Sequence, residues 1–282
     1  MKKMFMVVIA LMMTISASAQ FYIYCNDGNV IKVDSISMVS PGIGVFSVAK
    51  DKQITFSLGN LQYTQSTNTW AFAENQYNVI GAANVSNGAL ADKIDLFGWS
   101  ADNTTAPFGV STIADDTYYS GSFVDWGTNQ IGSDAPNTWR TLTYDEWNYL
   151  CWERPNFSEL CGVAQVNGVN GLILLPDSWT CPLGVTVKSG FHNENSVETF
   201  GQYQTFTVEQ WSKLEAAGAV FLPSSGYRNG SDVKHVQNDG EYWSATEVNN
   251  DRTYVFNFYS HEANMYSRSR SIGRCIRLVR DL

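Results

Sequence analysis

The sequence predicts an α+β protein of short strands, two helices and long irregular connections, and three patterns carry that reading. Short runs in which apolar and polar side chains alternate recur along the chain, with the period of a half-buried strand. Two segments open with a capping box, Thr143-Tyr144-Asp145-Glu146 and Thr207-Val208-Glu209-Gln210. In each, the threonine hydroxyl takes an orphan backbone N–H and the third residue after it reaches back. Ahead of both, residues 81–140 scatter Gly, Asn, Asp, Ser and Thr around isolated Trp and Phe, too irregular for either period.

In chain order, Met1-Lys2-Lys3 is a basic head, Met4 to Ile15 is almost wholly apolar, and Ala17-Ser18-Ala19 supplies a small-residue cleavage pattern. Residues 1–19 therefore read as a secretory signal peptide, too short in its apolar core to span a bilayer. Cys25 lies too far past that site to be a lipoprotein cysteine. Phe21–Val39 alternates around Asn26-Asp27-Gly28, the signature of a β-hairpin, which makes residues 20–41 a short N-terminal element. Pro41-Gly42 marks the boundary, and residues 42–282 form the main domain. Val45–Tyr77 offers four short alternating runs. On the first helix Tyr144, Trp147, Leu150 and Cys151 share one face. On the second, Trp211 and Leu214 do so, and Gly218 stops it. Between the helices, Leu172–Leu175 reads as a buried strand.

Export sets the charge balance. The chain has 18 basic and 27 acidic side chains. Losing Lys2 and Lys3 with the signal leaves 16 basic groups and a formal charge of −11, which opposes binding to nucleic acid or to anionic membranes. No later stretch is apolar enough for a transmembrane segment, so the protein is expected in the periplasm, at the cell surface or outside the cell, with a cell-envelope partner as the route to anchoring. The five cysteines, Cys25, Cys151, Cys161, Cys181 and Cys275, fit no metal cluster. Cys151 and Cys161 are near enough in sequence to pair, with Cys181 as competitor, and buried thiols are the equal alternative.

The run GAVFLPSSGYRNG from Gly218, GEYWSAT from Gly240 and SIGRCIRLVRD from Ser271, together with RTLTYDEWNYL from Arg140, ITFSLGNLQY and IDLFGW, resembles a known group. It is similar to secreted Bacteroidetes proteins related to the formylglycine-generating-enzyme (sulfatase-modifying-factor) and Fibrobacter succinogenes major paralogous families, over about residues 45–282. The resemblance implies a C-type-lectin-like fold, with twisted antiparallel sheets, two short helices and long loops that carry the ligand surface. It does not carry the enzyme's activity across. Those enzymes use a pair of cysteines near the C-terminal end with a copper ion, and only Cys275 lies there, in a strand-like setting.

Other chemistry finds no pattern. His192, His235 and His261 lack metal-ligand spacing, and no nucleophile elbow, zincin helix or phosphate loop occurs. The calcium-lectin motifs of this fold are absent: Leu175-Pro176-Asp177 and Glu241–Ser244 depart from them, and Asn249-Asn250-Asp251 reads as a solvated turn. No catalytic residue, metal or cofactor is expected. What does stand out is arginine. Six of the nine lie in residues 252–280, with no lysine among them, interleaved with tyrosines and preceded by Tyr242 and Trp243. Tyr242, Trp243, Arg252, Tyr254, Tyr259, His261, Tyr266, Arg268 and Arg270 are thus the candidate ligand-binding residues, acting by stacking and charge-assisted hydrogen bonds, with Arg274, Arg277 and Arg280 as solvated partners of nearby acids. Alternation requires some of the nine to point inward, Trp243 first. The function expected is an exported, noncatalytic binding or adhesion module for a protein or glycan ligand. The alternatives are a structural subunit of a surface or fimbrial assembly, and a variable ligand-binding protein of a diversity-generating retroelement.

Overall fold

The structure, a computed structural model, describes residues 42–102, 105–191 and 200–282, and the backbone of two short strands before them. The chain divides into two compact units, Met1–Ser40 and Pro41–Leu282. In the first, β1 (Phe21–Tyr24) pairs antiparallel with β2 (Val30–Val33). The signal peptide, the Asn26-Asp27-Gly28 turn, Cys25 and His192 lie outside the described residues.

The second unit is mixed α+β, with mostly antiparallel sheets and few short helices. The four alternating runs become β3 (Phe46–Ala49), β4 (Lys52–Phe56), β5 (Leu61–Thr64) and β6 (Thr69–Phe72). The irregular region contributes a hairpin, β7 (Val85–Ser86) with β8 (Ala89–Leu90), the strand β9 (Lys93–Ile94), which joins β5, and four short 3-10 turns. It is not loosely packed. Trp99, Trp126 and Tyr119 are fully buried, and Trp126 ties down the loop by donating from Nε1 to the Phe108 carbonyl at 2.9 Å.

Both capping boxes form. Thr143 and Glu146 open α1 (Tyr144–Asn148), which runs on as one π turn over Tyr149–Glu153, and Trp147, Leu150 and Cys151 are buried as the spacing required. The expected strand is β11 (Val169–Leu174), paired with β10 (Cys161–Val166). A four-residue helix the pattern does not reveal, α2 (Phe200–Tyr203), precedes β12 (Thr205–Phe206). Then α3 (Val208–Ala216) buries Trp211 and Leu214, and Gly218 at φ +93° turns the chain out of it. The sequence continues through β13 (Val220–Pro223), the hairpin β14 (Tyr227–Asn229) and β15 (Asp232–Lys234), then β16 (Gly240–Glu247), β17 (Arg252–Phe258), β18 (Ala263–Ser269) and β19 (Val279–Asp281).

Three sheets position the site. The closing strand β19 returns to β4, giving the order β19-β4-β3; a second sheet runs β12-β10-β11-β13; the third is the meander β16-β17-β18. The three enclose a core in which Phe46, Trp147, Leu222, Tyr242, Phe256 and Phe258 meet. A bulge in β16 between Trp243 and Glu247 frees Ala245 to donate to the Leu142 carbonyl and Thr246 to accept from Tyr144 N, which seats α1 on the third sheet.

Of the two readings of the cysteines the buried-thiol one holds, and one expectation for the arginines is corrected. Cys151 and Cys161 do not pair; both are free and buried, as Cys275 is, and burial pushes their thiols up. Cys181 is free and exposed. Arg274 and Arg277 are not solvated but 3 % and 2 % exposed. Arg277 Nη2 donates to Gln76 Oε1 and the Phe221 carbonyl, and burial pushes its guanidinium down to about 10. Arg280 stays at the surface over the Trp139 ring.

Arg140 links the two ends of the domain. Its guanidinium donates to Glu146 at 2.7 and 2.8 Å and to Asp281 at 2.6 Å, with Lys52 2.9 Å from Glu146. Burial alone would raise the Glu146 carboxyl, but hydrogen bonds from Arg140, Lys52 and Thr143 outweigh it and hold the group below the ordinary glutamate range. A carboxylate with a depressed folded value contributes stability above its ordinary range and loses it as pH falls. Urea unfolding should therefore show stability falling between about pH 5 and pH 2, with Glu146→Gln flattening part of that fall. Thr143→Ala and Thr207→Ala should each cost about 1 kcal/mol by loss of the cap.

Candidate binding site

In β16, β17 and β18 successive side chains alternate between faces, and the register shows which residues share one. Tyr242, Phe256 and Met265 form one row, and Trp243, Val255 and Tyr266 form the adjacent row on the opposite face. The first face is the core: the Phe256 ring stacks on Trp147 at 4.7 Å, and the Phe258 ring lies across Gly240, where a Cβ would come within 2.0 Å of it. The second face is apolar only at its root, where Trp243 and Val255 pack with Trp99 and Ile276. Further out it is polar.

This division sorts the nine candidates. Tyr242 and Arg270 are corrected from surface to interior, each at 0 % exposure, while Trp243, the first of the nine expected to point inward, is interior at 1 %. Tyr242 points into the core, its hydroxyl donating to the Pro223 carbonyl and accepting from Asn60 Nδ2. Trp243 Nε1 donates to the Phe97 carbonyl at 2.7 Å. Arg270 lies over the Trp99 ring at 4.1 Å and donates to Gly121 and Asn249 carbonyls and to Glu247, so it fastens two loops rather than a ligand. Arg252 and Tyr254 remain accessible but lie on the α1 side: Tyr254 packs on Tyr144 at 4.3 Å, and Arg252 is used by Ser267. Tyr259, His261, Tyr266 and Arg268 are brought together on the outer face and its β17–β18 turn. The Tyr259 and His261 rings stack at 5.6 Å, and the Arg268 guanidinium lies over the Tyr266 ring at 4.5 Å.

Five further residues complete the cluster. Asp239 and Glu241 stand two apart, entering β16 on one face, and each is 4 % exposed. His235 Nδ1 meets Asp239 Oδ2 at 2.6 Å, and the His235 ring packs on Tyr227 at 5.2 Å. Arg274 donates from Nε to Glu241 Oε2 and covers the Trp243 ring at 4.6 Å. The 235–239 turn is rigidly placed. His235 and Gln237 both adopt positive φ, Gln237 N donates to the Ser224 carbonyl, and Gln237 Oε1 accepts from Asn170 N. Spacing of Asp239 and Glu241 was the available signal for the acids; the arrival of Tyr227, His235 and Arg274 beside them comes only from folding.

The electrostatics follow from this packing. Burial raises the Asp239 carboxyl, Glu241 adds to the rise, and His235 and Arg268 oppose it. Tyr259 is raised by burial and by the same two acids, with Arg268 again opposing, which places all four groups in one field. Burial lowers the Arg274 guanidinium and Glu241 offsets it. No group of three or more His, Cys, Asp or Glu side chains suited to a metal ion occurs among the described residues. The Asn249 side chain instead accepts from the Asp251 and Arg252 amides, as a capped turn does.

A protein-family model described as a domain of unknown function (DUF8237) matches residues 188–279, about a third of the chain and a span that holds every residue of this cluster. No curated protein and no solved structure matches the chain.

The two kinds of arginine should separate cleanly in unfolding experiments. Arg274→Ala leaves the Glu241 carboxylate buried and unpaired and should cost about 3–5 kcal/mol. Arg268→Ala, which removes a half-buried side chain without a protein hydrogen-bond partner among the described residues, should stay within about 0.5 kcal/mol of the parent.

Proposed function

We propose that the chain is an exported, noncatalytic binding or adhesion module of C-type-lectin-like fold, recognising a protein or glycan ligand through the outer face of β16–β18. The observation that carries the reading is the state of Arg268. Its guanidinium lies over the Tyr266 ring at 4.5 Å and takes part in no hydrogen bond or ion pair among the described residues. An arginine stacked on a tyrosine, ringed by further aromatic and polar side chains, has the composition of an interaction hot spot. The surrounding turn is braced by its own hydrogen bonds, so little ordering cost falls on the ligand.

Burial raises the thiols of Cys151, Cys161 and Cys275, the opposite of an activated nucleophile. No helix among the described residues is long and apolar enough to cross a membrane.

A screen of the purified chain against arrayed glycans and host proteins, with calcium and with chelator, tests the face. Tyr266→Ala/Arg268→Ala should abolish whatever binding appears, while Arg252→Ala/Tyr254→Ala on the α1 side should keep it. Binding that survives in the first double variant would remove this face from the function.

A further inference from the structure

Building on that reading of the face, we infer that its ligand is an uncharged pyranoside, held by vicinal hydroxyls between Arg268 and the acids Asp239 and Glu241 and by a C–H face laid on tyrosine, without a metal ion. The polar groups left over after folding define the complement. Asp239 uses Oδ2 on His235, and Glu241 uses Oε2 on Arg274. Their second oxygens, Asp239 Oδ1 and Glu241 Oε1, accept nothing from the described residues, yet neither is sealed from solvent. Each side chain is only 5 % exposed, so these are fixed acceptors on a rigid base. Arg268 supplies the unused donors, pinned by the Tyr266 ring.

Charge then discriminates among ligands. Strand register puts Glu241, Tyr266 and Arg268 on one face, and Arg274 is bonded to Glu241. A phosphate, sulfate or carboxylate drawn to Arg268 would meet the acids of that face, and an ammonium drawn to the acids would meet its arginines. Either mismatch costs more than it gains in a partly desolvated setting. A hydroxyl pair on adjacent ring carbons avoids both, since each hydroxyl donates to a carboxylate oxygen while accepting from a guanidinium N–H. Tyr227 and Tyr259, both half-buried, offer flat platforms for the ring's C–H face. A protein partner would ask for more apolar area. The exposed large hydrophobic side chains, Leu183, Ile43, Leu282 and Leu58 foremost, all lie outside this cluster.

Ligand-observed NMR on the full chain, with uncharged hexose and N-acetylhexosamine oligosaccharides beside their uronate, sulfated and free-amino analogues, tests the inference. An uncharged oligosaccharide should bind in chelator, with affinity changing less than about twofold from low to high salt. Arg268→Ala and Asp239→Ala should each weaken it by about tenfold or more. Arg268→Lys, which keeps the charge and loses the planar fork, should be nearly as weak, and thermal unfolding should confirm that each variant is folded. Binding confined to the charged analogues, dependence on calcium, or no uncharged ligand at all overturns the pyranoside assignment. If a protein ligand binds instead and Arg268→Ala abolishes it, the face keeps its function and only the ligand class falls. If uncharged sugars bind all the variants equally, both readings fall.

Discussion

The rest of this structure depends on one buried segment, Arg270 to Val279, whose backbone is shared out among otherwise separate pieces of the fold. Trp99 N donates to the Arg270 carbonyl, and Phe97 and Arg274 exchange a pair of backbone bonds. Trp243 N then takes the Cys275 carbonyl, Leu61 N the Ile276 carbonyl, and Ser57 N the Leu278 carbonyl, and Val279 exchanges bonds with Arg140. A buried backbone must satisfy its polar groups somewhere. Here it does so by joining the irregular region, β5, the third sheet and the approach to α1 in ten residues.

The arginines of this segment extend the same device. A guanidinium offers five donors in a rigid plane, so it fastens several carbonyls at once while its face covers an aromatic ring. Arg270 does this over Trp99 and Arg274 over Trp243, and each also meets one carboxylate, Glu247 and Glu241. Such pairs are weak evidence of net stability but leave a buried charge if one member is lost. Their contribution is registration: each holds a loop against a sheet at a defined place.

The outer face inherits its geometry from that frame. Arg274 fixes one oxygen of Glu241 and the Trp243 ring below it, and the braced 235–239 turn brings His235 onto Asp239. Arg268 and the second carboxylate oxygens are then left without hydrogen-bond partners among the described residues. Arginines two and six positions away from Arg268 in sequence are thus structural, and Arg268 is not, although residue type and local composition are the same.

Local chemistry was legible in the chain. The capping boxes at Thr143 and Thr207 and the stop at Gly218 are short-range hydrogen-bonding and φ requirements, and period-two alternation marks β3 to β6, because these need only neighbouring residues. The density of aromatic and arginine residues near the C-terminal end was also legible, but which of its members face outward was not readable. Tyr242 and Trp243 are adjacent and both buried, since the third sheet packs on both faces and alternation no longer separates inside from outside. Arg270 and Arg274 are interior because loops far away in sequence arrive to cover them. The site acquired Tyr227, His235 and Arg274 from outside the meander for the same reason. Residue type and spacing determined the elements and the inventory of chemistry; only tertiary packing decided which charges were consumed by the fold, because that depends on which distant carbonyls and carboxylates reach each guanidinium.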